Sequence, residues 1–73
     1  MRTISTIAAD IERNWANVNY AARPYLDAMK SLASIDDYYY NDTARSIVLY
    51  FLSNARSFRG EDAKRLKAEL KAL

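Results

Sequence analysis

The chain has 73 residues, eleven basic and nine acidic side chains, a formal charge of +2, and neither cysteine nor histidine. That composition excludes disulfides, thiol nucleophiles, imidazole bases and zinc sites of the usual Cys/His type, and a charge of +2 is too small to name a partner class. The length leaves room for one core, so residues 1–73 read as a single domain that buries only about 60% of its unfolded surface.

Half the residues are apolar, and there is one glycine and one proline. So few breakers favour helices over the turn-rich layout of a small β protein. Asp10 and Glu12 interrupt the apolar run Ile4–Ala9, which therefore does not read as a signal peptide. No stretch approaches the length of a membrane span. A secreted scaffold this small would ordinarily carry disulfides, so a cytoplasmic location is expected.

In chain order, Ile4, Ile7, Ala8, Ile11 and Trp15 share one face of a helix expected from about Thr3 to Ala16, with Thr3 as N-cap and Trp15 as a core anchor. Asn17-Val18-Asn19 interrupts it with residues that favour caps and turns. A second helix is expected from Tyr20 or Ala21 to Ala33, with Pro24 in its first turn and Tyr25, Ala28, Met29 and Leu32 as its stripe. Arg23, Asp27 and Lys30 are spaced on it for weak ion pairs. Ser34 to Asp42 is the least regular piece, and it holds the run Tyr38-Tyr39-Tyr40; if it is extended, Tyr39 points opposite its two neighbours.

The longest apolar run, Ile47 to Leu52, follows a cap expected at Asp42 or Asn41 and predicts a helix from about Thr43 to Ser57. Its apolar stripe is broad enough to place it at the centre of a small bundle. Phe58-Arg59-Gly60 is the last break, and a helix from Glu61 to about Ala72 follows, acidic in its first turn and basic in its last. The reading is all-α: a compact bundle of four short helices around a central apolar helix. Its expected core is Ile47, Val48, Phe51 and Leu52 with Ile7, Ile11, Met29, Leu32, Leu66 and Leu70.

Three groups of residues bear on function. Asp36, Asp37 and Asp42, with Asn41, lack the alternating spacing and central glycine of a calcium loop, and helix capping and solvated loop charge account for them. Asp36, Asp37, Tyr38, Tyr39 and Tyr40 form a candidate protein-binding surface, because tyrosine offers large contact area at low entropy cost. Arg56, Arg59, Lys64, Arg65 and Lys67 form the alternative, a nucleic-acid-binding surface on a C-terminal region whose last 18 residues hold six basic and three acidic side chains. Glu61 and Asp62 at the start of that helix, and its lack of Asn and Gln, argue against base reading in a groove. No serine has a histidine partner and no phosphate-binding loop is present, so the chain reads as a binder without catalytic, cofactor or metal residues.

Two stretches, Asn14 to Leu26 and Ser46 to Ala55 continuing through Phe58-Arg59-Gly60 to Lys64, resemble small uncharacterised proteins carried by phages and mobile elements of gut bacteria. The resemblance covers most of the chain and carries no motif with an assigned role. It implies a protein that binds and inhibits or modulates a host or defence component, as anti-CRISPR inhibitors do. A small nucleic-acid-binding regulator is the alternative, and a homodimer paired through the apolar helix is a further expectation.

Overall fold

The computed structural model describes residues 2–73 and contains four helices and one short hairpin: α1 (Ile4–Asn14), α2 (Arg23–Met29), β1 (Tyr38–Tyr39), β2 (Asp42–Thr43), α3 (Ala44–Ser53) and α4 (Glu61–Lys71). The fold is therefore mostly helical rather than purely α. Its Cα radius of gyration is 10.9 Å, close to the value of about 11 Å for a compact chain of this length. No helix among the described residues is long and apolar enough to cross a membrane.

Helix α1 begins as its sequence predicts. The Thr3 hydroxyl accepts from the Thr6 amide at 3.2 Å. Two further amides of its first turn, Ile4 and Ser5, donate to the carbonyls of Ala33 and Leu32 at 3.1 and 2.8 Å, which satisfies donors that a helix start otherwise leaves open. The same two bonds bear on why α2 ends early. Ser31 and Leu32 donate three residues back, to Ala28 and Met29, a tightening typical of a helix end, and the next carbonyls turn towards α1. The expected start at Tyr20 or Ala21 also fails. Residues 20–22 form a turn held by Asn19, whose carbonyl accepts from Ala22 and Arg23 and whose side chain accepts from Ala21 and donates to Asn54.

Helix α3 is capped by Thr43, not by Asp42 or Asn41: the Thr43 hydroxyl accepts from the Ser46 amide at 3.1 Å, while Asp42 is engaged in the hairpin. The helix stops at Ser53 instead of Ser57, where the Asn54 side chain turns back to the Tyr50 carbonyl. Gly60 caps α4 at φ +107° and ψ −179°, a region essentially closed to residues with a Cβ. A Cβ there would meet nothing within 4 Å, so the backbone conformation, and not lack of space, selects glycine.

The helices pack in the order α4, α1, α2, α3, with the hairpin against α3. The interior position expected of Ile47–Leu52 belongs instead to α1, whose Ile4, Ile7, Ala8 and Ile11 are fully buried. Helix α3 buries one face, Ala44, Ile47, Val48 and Phe51, and leaves Leu49 and Tyr50 57% and 51% exposed. Its stripe was broad because it holds two apolar faces, of which one is only partly covered. Nine of the ten expected core residues are buried, and Leu52 is partly so. Leu26 and Phe58 join them unforeseen. Trp15 is a core anchor as expected: it stacks on Phe58 at 5.0 Å and meets Phe51 edge-on at 6.2 Å.

Ion pairs link these elements at the surface. Arg2 forks onto both carboxylate oxygens of Glu69 at 2.7 and 2.6 Å and also reaches Asp10, joining the start of α1 to α4. Glu12 accepts from Arg23 and Lys30, joining α1 to α2.

Candidate functional site

The tyrosine segment is a two-residue hairpin. Tyr38 pairs with Thr43 and Tyr39 with Asp42, leaving Tyr40 and Asn41 as the loop. Tyrosine and threonine suit paired strands. The strand alternation sends Tyr39 inward, where it is partly buried against the core, and leaves Tyr38 69% exposed, while Tyr40 in the loop is 86% exposed. The Tyr40 ring lies edge-on to Tyr39 at 4.8 Å. Tyr40 has φ +57°. The first loop position of the tight hairpin turns requires a positive φ, and glycine or asparagine ordinarily takes it, since the conformation costs other L-residues about 1–2 kcal/mol.

Asp37 belongs to the fold rather than to a free surface. Its carboxylate accepts from the amides of Ala33 and Ser34, both at 3.0 Å, and its carbonyl accepts from Ala44 at 2.7 Å, tying the hairpin to the start of α3. The two amide bonds hold its carboxyl below the usual carboxylate range. A lowered folded-state pKa means that this contribution is complete above the ordinary value and is lost as pH falls through the lowered one. Asp37→Asn is therefore expected to lower the melting temperature near neutral pH, with the difference from wild type shrinking below about pH 3.9. Thermal melts from neutral to acid pH check this; a constant difference would remove the charge from the account.

Of the five residues read as a protein surface, Asp36, Tyr38 and Tyr40 are exposed, while Asp37 and Tyr39 hold the fold. Asp36, Asp37 and Asp42 do not converge, and no group of three metal-ligating side chains occurs among the described residues. The sequence reading missed the exposed aromatics outside the run. Tyr50 of α3 lies 5.5 Å from Tyr25 of α2, ring to ring, beside the uncovered Leu49.

The basic set separates differently. Arg56, Arg59, Lys64 and Lys67 line one shallow depression of about 310 Å³ around Phe58, Gly60 and Ala63. Arg65 is not among them and turns to Asp62 at 3.4 Å. Lys67 donates to the Phe58 carbonyl at 2.7 Å and sits 5.7 Å from the centre of that ring. Burial, and then the neighbouring charges of Lys71 and Arg59, push its ammonium below the usual lysine range. A second hollow of about 120 Å³ opens between Ile35, α3 and the end of α4, and its lining includes Arg45 and Lys71.

In comparisons with known proteins, no family model matches this chain, and no curated protein or solved structure matches it either.

Proposed function

We propose that this chain is a non-enzymatic interaction protein that binds a host protein through the tip of its tyrosine hairpin and inhibits or modulates it. The setting is the phage or mobile element implied by the sequence resemblance, with an anti-CRISPR inhibitor as its particular form. The observation that carries the reading is Tyr40. A bulky ring occupies a left-handed loop position and is 86% exposed. Beyond its edge contact with Tyr39 the ring does little for its own fold, and backbone strain of this kind concentrates at sites that clamp ligands. Tyr38 stands beside it as a second rigid contact of the type enriched in recognition surfaces. The non-enzymatic part rests on the sequence, which has neither the thiol nor the imidazole that most often serves as nucleophile or base.

The test is capture from nuclease-treated lysate of a bacterial host, comparing wild type with the double variant Tyr38→Ser, Tyr40→Ser. Tyr39 is kept because it packs against the core. Wild type is expected to retain a stoichiometric protein that the variant loses, with the same far-UV dichroism for both. Undiminished capture by the variant would remove the hairpin as the contact surface.

A further inference from the structure

The basic residues of this chain fall into two populations. Arg2, Arg13, Arg23, Lys30 and Arg65 each pair with a carboxylate. The other six, Arg45, Arg56, Arg59, Lys64, Lys67 and Lys71, have no carboxylate partner among the described residues, and they are not scattered. Arg56, Arg59, Lys64 and Lys67 share the depression beside Phe58. Lys67 and Lys71 stand one helical turn apart on α4. Lys71 and Arg45 share the hollow between α4 and α3. Neither concavity has a carboxylate in its lining. Of the acidic side chains of α4, Asp62 pairs with Arg65 and Glu69 with Arg2, while Glu61 makes no ion pair among the described residues and borders the band beside Lys64 and Arg65.

We infer that these six side chains form a continuous basic band that holds the phosphate backbone of a nucleic acid. From Lys64 to Lys71 the band follows α4 for about 10 Å at 1.5 Å per residue, and it continues at one end to Arg56 and Arg59 and at the other to Arg45. Each strand of duplex DNA carries one charge per about 3.4 Å of axis, so a strand lying along α4 brings about three phosphates to Lys64, Lys67 and Lys71. Like charges held together without counter-charges repel one another; the Lys67 ammonium is lowered first by its burial and then by its neighbours Lys71 and Arg59. A polyanion relieves the repulsion by releasing its own condensed counterions. The band lacks the Asn and Gln side chains that read adenine, and Phe58 is buried and offers no stacking face. It therefore grips backbone without reading sequence. The band is independent of the hairpin proposal, since it includes no residue of Asp36–Tyr40.

The test is fluorescence anisotropy with three labelled probes, a 20-nucleotide single-stranded DNA, its RNA counterpart and the duplex DNA, titrated at several salt concentrations with polyglutamate as an acidic-protein control. The expected slope of log K against log salt is about −4 to −5, since six neutralised phosphates contribute about 0.7–0.9 each. Arg45→Gln and Lys71→Gln should each flatten it by nearly one such step, whereas Arg65→Gln, which removes the same charge from the same helix as Lys71→Gln, should leave it unchanged. The double variant Tyr38→Ser, Tyr40→Ser should bind nucleic acid as wild type does, which separates failure of this band from failure of the hairpin. The three probes decide among single-stranded DNA, RNA and duplex as the source of the phosphates. Equal effects of Lys71→Gln and Arg65→Gln, polyglutamate binding as tight as nucleic acid, or no binding at low salt would each overturn the band.

Discussion

Phe51→Ala is expected to destabilise the protein by about 3–5 kcal/mol. The ring is fully buried on the inner face of α3 and stands edge-on to Trp15, which in turn stacks on Phe58. It thus joins α3 to the end of α1 and to the segment leading into α4. A chain of 73 residues has a total stability of about 4–11 kcal/mol at the usual allowance per residue, so the loss is a large share of the whole. In a domain of this size it corresponds to a fall in melting temperature of about 12–40 °C. Urea titration followed by far-UV dichroism measures it, with the fluorescence of the single tryptophan as a second probe of whether the transition stays two-state. Leu49→Ala is the companion measurement. Leu49 is 57% exposed on the opposite face, and its truncation should stay within about 0.5 kcal/mol of wild type. Equal losses at both positions would mean that α3 is buried all round.

That contrast also marks how far the fold was legible from the residues alone. Spacing found all four helices and nearly all of the core, because Ile4, Ile7, Ala8 and Ile11, or Ala63, Leu66 and Leu70, recur at intervals that only a helix brings to one side. It did not find which helix lies inside. Ile47 to Leu52 is the most apolar run, but burial depends on what packs against each face, and Leu49 and Tyr50 stay more than half exposed, Tyr50 meeting the Tyr25 ring at the edge of α2. Helix ends were missed for a related reason. Distant partners hold those of α2 and α3, Ile4 and Ser5 donating to the Ala33 and Leu32 carbonyls and Asn19 to that of Asn54, and these add to local bonds such as Asn54 to Tyr50 that the apolar spacing does not report.

The candidate surfaces divide along the same line. The condition that an extended run would turn Tyr39 away from Tyr38 applies to the paired strand, while Tyr40 is exposed because it lies in the turn. The hairpin itself went unseen, since its loop starts with tyrosine where glycine or asparagine would have announced the turn. Asp37 was placed on the surface because its role depends on two amides, three and four residues back, that only the folded turn aims at it. Among the cations, charge counting located the basic end of the chain, but pairing decides which charges are free. Arg65 drops out through Asp62, and Arg45, some twenty residues away in sequence, comes in through the hollow it shares with Lys71.

Tyr40→Gly is expected to weaken binding at little or no cost in stability. Relief of the left-handed conformation returns about 1–2 kcal/mol. Against this, glycine adds about 0.5–1 kcal/mol of chain entropy to the unfolded state, and the edge contact with Tyr39, largely open to water, is worth about 0.5 kcal/mol. The melting temperature should therefore stay level or rise slightly. Binding to the captured host protein should weaken by at least about 30-fold, the effect of losing an anchor worth about 2 kcal/mol at the centre of an interface. Tyr40→Asn serves as a check on the backbone argument, since asparagine tolerates the same conformation while removing the ring; it should bind as weakly as the glycine variant. A clear loss of stability in both variants would show that the ring belongs to the fold, and the strain would then need no ligand to explain it. Stability kept together with unaltered binding would leave the left-handed tyrosine without a role at the hairpin tip and would end the case for this surface. Only a stable protein that no longer holds its partner fits a side chain retained for recognition at the expense of its own backbone.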